Sequence, residues 1–149
     1  MDEIISGIVD GCKQSDCALI GGEMAEMNDL YKKGDFDLAG FSVGIVEKSK
    51  IIDGQQIKDA QFVYGLASSG FHSNGYSLVR KVLDSNTSNC LVSNEEALIP
   101  TKIYVTKILD LIDKHPIKGI AHITGGGFEE NLERIIPKNI DINILKWEI

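Results

Sequence analysis

Gly65-Leu66-Ala67-Ser68-Ser69-Gly70-Phe71-His72-Ser73-Asn74-Gly75-Tyr76 is the stretch that decides the fold. An apolar run, Phe62 to Ala67, stops at a loop of small and polar residues, and an amphipathic segment begins at Tyr76. That order is a strand-to-helix turn, the place where α/β proteins gather anionic ligands, because backbone N–H groups converge on the start of the helix. The layout recurs downstream. Ile117 to Ile123 is apolar, Thr124-Gly125-Gly126-Gly127 is the loop, and Phe128 to Ile136 has helical spacing, with His122 at the loop's edge. Two loops, each beside a histidine, point to one shared site.

Working outward, Met1 to Gln14 carries Ile4, Ile5, Ile8 and Val9 at helical spacing. Cys17 to Ile20 reads as a short buried strand running into Gly21-Gly22-Glu23, and Asn28 to Asp35 as a polar loop turning at Lys33-Gly34-Asp35. Asp37 to Val46 reads as a strand, with Ala39, Phe41, Val43 and Ile45 on one face and Gly40, Ser42 and Gly44 on the other. The polar stretch Glu47 to Asp59, with a turn at Asp53-Gly54, is the candidate boundary between domains. Beyond the first loop the pattern predicts a helix over 76–83 and a Ser- and Asn-rich surface loop over 84–94. Pro100 suits the first turn of a helix running to about Lys114, with Tyr104, Ile108, Leu111 and Ile112 as its buried stripe. Pro116 ends that helix, Pro137 ends the next, and Ile140 to Ile144 is a last strand. Strands alternating with helices give an α/β protein of the α+β type.

The chain has 149 residues, 43% apolar and 25% charged, with a net charge of −7. Its length suffices for one ordinary domain with a stable core. The negative charge argues against a general nucleic-acid surface, which needs clustered Lys and Arg. It does not exclude phosphate binding, since loop amides donate whatever the net charge. No apolar run approaches the ~20 residues needed to span a bilayer, and the start lacks a signal-peptide pattern, so the expected location is cytoplasmic with no membrane partner. Cys12, Cys17 and Cys90 form no paired framework and no zinc-knuckle spacing, which fits a reducing compartment. The ending Lys146-Trp147-Glu148-Ile149 has no cap or polar tail and reads as a chain cut within an element.

Each chemical candidate has a plainer alternative. In the first loop, Ser68, Ser69, Gly70, Ser73, Asn74 and Gly75 supply amides, hydroxyls and a side-chain amide for a phosphate, and His72 supplies a group that binds phosphate or moves a proton near neutral pH. The alternative is a polar connection whose Ser or Asn caps the next helix. In the second loop, Thr124, Gly125, Gly126 and Gly127 allow a ligand to approach the backbone closely, with His122 as a second candidate imidazole; the alternative is a tight turn with His122 bonded in a core. Glu23 and Glu26, three residues apart at the end of a strand, are candidate Mg²⁺ ligands; acids are equally at home in a first helical turn. His115, beside Pro116, has no catalytic partner. The P-loop pattern, the Gly-x-Ser-x-Gly elbow and the dinucleotide Gly-x-Gly-x-x-Gly fingerprint are all absent from the sequence.

Six stretches, in this order, resemble the phosphoribosylformylglycinamidine cyclo-ligases, also called aminoimidazole ribonucleotide synthetases. They are Gly21 to Met27, Asp37 to Phe41, Glu47-Lys48-Ser49 with Ile52-Asp53-Gly54, Gly65 to Lys81, Pro100 to Val105, and Ala121 to Phe128. The resemblance runs over almost the whole chain. Met24 stands where that family usually has Thr, Phe71 where it usually has Pro, and Asn28 replaces a common Pro.

The resemblance implies ATP-dependent closure of the purine imidazole ring: ATP activates the formyl amide oxygen of formylglycinamidine ribonucleotide, the amidine nitrogen attacks, and ADP and phosphate leave. His72 and His122 would then be catalytic, the two glycine-rich loops would line the nucleotide cleft, and Glu23 and Glu26 would lie on the Mg-ATP side. It also implies the end of an N-terminal ATP-binding and dimerisation domain over 1–47 and most of a C-terminal α/β sandwich with a mixed sheet over 48–149. The chain would be an internal fragment that is inactive alone, drawn from a homodimer. Rival readings are another enzyme of the same superfamily, such as formylglycinamidine ribonucleotide synthetase or a small-molecule kinase, and a non-catalytic self-associating module.

Overall fold

The computed structural model describes residues 2–85 and 92–144, which fall into two units, Met1–Ile51 and Ile52–Ile149. Cys90, most of the Ser- and Asn-rich stretch and the Lys146–Ile149 ending lie outside the described residues.

The first unit opens with α1, Asp2–Gln14, whose acidic Asp2 and Glu3 sit in the first turn and whose Lys13 sits in the last. That placement suits the helix dipole at both ends. The helix hands over to Asp16, which takes a left-handed φ of 50°, and the Cys17 amide donates back to the Cys12 carbonyl at 3.0 Å. Contact with Cys17 raises the Cys12 thiol above its ordinary pKa, first through their side-chain hydrogen bond and then through desolvation and charge. The expected turn at Lys33-Gly34-Asp35 is present, with Gly34 at φ 97° and the Asp35 amide on the Lys32 carbonyl. Beside it the Tyr31 hydroxyl donates to the Asp37 carboxylate. That hydrogen bond, with lesser help from desolvation and the carboxylate's charge, raises the phenol's pKa. One 3₁₀ turn, Lys48–Lys50, closes the unit.

Among its described residues the second unit has four helices: α2, Tyr76–Asp84; α3, Asn94–Ala97; α4, Val105–Lys114; and α5, Gly127–Glu133. The helix expected from Pro100 begins instead at Val105. Residues 100–104 form a strap, because their polar groups are spent on the first loop rather than on a helical turn. The helix expected over Phe128–Ile136 gives way after Glu133 to a turn in which the Ile135 and Ile136 amides both bond the Leu132 carbonyl. Helix α3 begins at Asn94, the last residue of the expected surface loop, and the sequence pattern does not predict it. A capping box builds it: the Ser93 hydroxyl accepts from the Glu96 amide at 3.1 Å and the Glu96 carboxylate accepts from the Ser93 amide at 2.8 Å. The Asp53-Gly54 turn forms as expected, with the Gln55 amide on the Asp53 carboxylate and Gly54 at φ 80°.

No β-strand is assigned among the described residues. The segments expected as strands run without ladder partners; over 37–46 both faces are open, with Phe41 95% and Ile45 100% accessible and Gly40, Ser42 and Gly44 exposed on the other side. A strand is defined by its neighbour; without one, alternation has no face to bury. The expectation of a stable core also needs correction. Ala97 is the one buried apolar residue and Asn131 the one buried polar side chain among the described residues. The chain exposes 13603 Å², whereas two separate compact bodies of these sizes would together expose about 9,000 Å². No helix among the described residues is long and apolar enough to cross a membrane.

Candidate functional site

The first loop is built on a platform supplied by residues 97–104. Chain direction reverses at His72, which holds a left-handed φ of 56°, a conformation that His tolerates better than most residues but that still needs support. Support comes from hydrogen bonds that span the sequence. The Ser69 hydroxyl donates to the Pro100 carbonyl at 2.9 Å, and Ser73 and Thr101 share a hydroxyl–hydroxyl bond of 2.9 Å. The Tyr76 hydroxyl donates to the Ala97 carbonyl at 2.6 Å. Lys102 Nζ and the Tyr104 hydroxyl both donate to the Ala67 carbonyl, at 3.2 Å and 3.0 Å. The Lys102 ammonium also lies 5.7 Å from the centre of the Tyr104 ring, within cation–π range.

His72 sits in the middle of this arrangement, half-buried, its ring 6.1 Å from that of Tyr104. Its Nε2 is 3.1 Å from the Ser69 amide, 3.1 Å from the Ser69 hydroxyl and 3.4 Å from the Lys102 amide. Ser68 and Asn74 are exposed and make no hydrogen bond among the described residues. Gly75 precedes α2 at φ 82° and leaves open space on its outer side.

The second loop is organised from within. Asn131, 5% accessible on α5, turns its amide nitrogen to the carbonyls of Gly127 at 2.7 Å, Gly125 at 3.1 Å and Thr124 at 3.5 Å. Its oxygen accepts from the Thr124 hydroxyl at 3.3 Å and from Arg134 at 3.4 Å. Gly126 caps the helix at φ 90°, and a Cβ there would fall 2.1 Å from a Glu130 carboxylate oxygen. Glu130 is itself 3.8 Å from Arg134. A carboxylate this close to the glycine run weakens it as a cradle for anions, and α5 has too few turns to add much dipole. His122 is exposed and makes no hydrogen bond or ion pair among the described residues, so it is not sealed in a core.

The first loop is therefore drawn together with Thr101, Lys102 and Tyr104. The second is drawn onto Asn131. No hydrogen bond joins the two loops among the described residues. Glu23 and Glu26 belong to the first unit, where both are exposed. Sequence reasoning missed Lys102 and Asn131 as site residues. A Pro-led polar pair, Thr101-Lys102, ahead of Ile103 and Tyr104 was the signal for the first; an Asn within α5's apolar spacing was the signal for the second.

Comparison with known proteins matches both units to one family. The model for the AIR synthase related protein, N-terminal domain, matches residues 1–46, and that for the C-terminal domain matches residues 60–148. A protein of Clostridium tetani named phosphoribosylformylglycinamidine cyclo-ligase is 53% identical over 146 residues, covering 97% of this chain and 44% of the relative. The protein of that name from Acetivibrio thermocellus is 54% identical over 158 residues, covering 99% and 46%. The one from Bacillus cereus strain B4264 is 51% identical over 160 residues, covering 100% and 46%. The chain spans under half the length of these relatives.

Proposed function

The chain belongs to the AIR synthase related family, and on that premise we propose that it serves the ATP-dependent cyclisation of formylglycinamidine ribonucleotide to aminoimidazole ribonucleotide, with release of ADP and phosphate. The observation that carries this reading is identity of about half over nearly the entire chain to relatives that bear the cyclo-ligase name.

The polar face of the first loop supports it. Ser68, Ser69, Gly70, Ser73, Asn74 and Gly75 offer hydroxyls and amides, and Lys102 adds a cation beside them, a donor set suited to a phosphorylated ligand. Thr124 to Gly127 would line the same nucleotide cleft, with His122 as an unengaged imidazole for proton transfer. The described residues contain no group of three or more His, Cys, Asp or Glu placed to hold a metal. A magnesium ion carried on ATP needs only one or two carboxylates, because phosphate oxygens and water fill its remaining positions. Glu23 and Glu26, both exposed, fit that demand. Bound magnesium would offset phosphate charge and the repulsion of the acidic chain.

Residues 1–47 would belong to an ATP-binding and dimerisation domain and 48–149 to a C-terminal α/β domain with a mixed sheet. The apolar faces of 37–46 and 62–67 favour that arrangement, since they bury only when paired, and a homodimer would supply such pairing. The test is ADP release, with Mg-ATP and formylglycinamidine ribonucleotide, from a chimera in which residues 1–149 replace the matching segment of a full-length cyclo-ligase relative. Release that depends on that substrate is expected. No release in its presence, or equal release with formylglycinamide ribonucleotide or a small alcohol in its place, would overturn the reading.

A further inference from the structure

We propose that His72 is a positioning residue: a neutral imidazole whose Nε2 accepts hydrogen bonds from backbone amides and so pins the first loop to the 100–104 strap. This deepens the cyclo-ligase reading by sorting its two histidines, and it leaves proton transfer to His122.

The argument starts from what cannot rotate. A backbone N–H is a fixed donor, whereas a hydroxyl turns to suit its surroundings. Two such fixed donors, from Ser69 at 3.1 Å and Lys102 at 3.4 Å, converge on His72 Nε2 with hydrogens directed at it. A proton on Nε2 would face both. The ring must therefore present its lone pair there and carry its proton on Nδ1. The Ser69 hydroxyl, also 3.1 Å from Nε2, is free to spend its proton on the Pro100 carbonyl instead. A relay in which Nε2–H donates to that hydroxyl would set its proton against both amide hydrogens, whereas the Nε2 lone pair accepts from the Ser69 amide with the longer Lys102 amide sharing it.

The backbone gives a second, independent reason. His72 is held at φ 56°, a turn that persists only when its surroundings over-determine it. Its ring reaches back three residues to Ser69 and forward thirty to Lys102, so one side chain fixes both the turn and the strap that carries Lys102 and Tyr104. The aromatic ring beside it is that of Tyr104, whose hydroxyl, like Lys102 Nζ, is committed to the Ala67 carbonyl. No carboxylate stands within ion-pair distance of the ring among the described residues.

The test needs no turnover. Long-range proton–nitrogen NMR on the ¹⁵N-labelled chain identifies which ring nitrogen of His72 carries the proton; Nδ1 is expected, and a proton on Nε2 would overturn the proposal. Amide hydrogen exchange then compares His72→Ala with His72→Gln. Both lose histidine's tolerance of the left-handed turn, so that cost cancels between them, and Gln alone restores an acceptor at the reach of Nε2. Protection of the Ser69 and Lys102 amides should fall roughly fivefold to tenfold further in Ala than in Gln, the weight of a lost hydrogen bond, while α4 amides stay as they were. Equal protection in the two variants would refute the clamp. A failed ADP-release assay would leave all of these readouts standing.

Discussion

The two loops solve the same problem in opposite ways. The first, 67–76, is tied to residues twenty-one to thirty-seven positions away, through Tyr76, Ser73, Ser69, His72, Lys102 and Tyr104. The second, 124–127, is tied to a single side chain four to seven positions away, Asn131. A long-range clamp costs more loop-closure entropy than a local one and holds only when the strap is in place. A local latch forms with its own helix. The first loop should therefore report on the integrity of the second unit, and the second should stay ordered until α5 itself melts. That contrast would matter for the proposed shared site: the long-range loop lies with Lys102 and the engaged His72, and the self-contained loop lies beside the unengaged His122.

The largest break in this comparison comes from Asn131→Ala. Three carbonyls lose their donor at a position only 5% accessible. A hydrogen bond is worth a net ~0.5–1.5 kcal/mol, so the loss of this set is expected to cost about 2 kcal/mol in chemical denaturation of the second unit. Hydrogen exchange should show residues 125–133 deprotected while Ser69 and Lys102 keep their protection. Coordinated loss at both loops would mean that they form one cooperative body and that the contrast is wrong.

A glycine pair sharpens it. Gly75 and Gly126 both stand at the start of a helix in the left-handed region, at φ 82° and 90°. Alanine in that conformation costs roughly 1–2 kcal/mol. Gly75→Ala meets open space and should cost no more than that. Gly126→Ala meets the Glu130 side chain, with a carboxylate oxygen at 2.1 Å and Cβ at 2.8 Å, so Glu130 must swing out and its contact with Arg134 must break. Thermal unfolding should rank Gly126→Ala below Gly75→Ala, and the double variant Gly126→Ala/Glu130→Ala should recover part of the gap. Equal melting of the two single variants would show that Glu130 does not crowd the loop.

How far such features were legible in sequence depends on how far their partners lie. Helices α1, α2 and α4 followed from apolar spacing because the partner of each helical amide is four residues away. Even there, α4 began five residues late, since Pro100 to Tyr104 is claimed by Ser69, His72 and Ala67, which no local pattern announces. Helix α3 was written plainly as Ser93-x-x-Glu96 and was obscured by its Ser- and Asn-rich setting. The apolar alternation of 37–46 was equally plain, yet alternation states only which face seeks burial. Pairing is a property of two segments, and among the described residues the second is lacking. His72 stood out as a chemical group, while its use as an acceptor rests on amides whose positions the fold alone determines.

The smallest expected effect tests whether the clamp is as long-ranged as its hydrogen bonds imply. Ser93 caps α3, whose last residue, Ala97, gives its carbonyl to the Tyr76 hydroxyl. Removing an N-cap hydroxyl costs about 1 kcal/mol, too little to unfold the unit. Ser93→Ala should nonetheless loosen the platform under the first loop, because a four-residue helix has few other bonds to hold it. Exchange at the Ser69 amide should rise several-fold, whereas Gly125 to Gly127 should not change. Ser93→Asp, which keeps a capping acceptor, should restore the Ser69 value. If Ser69 is indifferent to both substitutions, the Tyr76–Ala97 bond is a passive contact, and the clamp ends at the strap rather than reaching through it to α3.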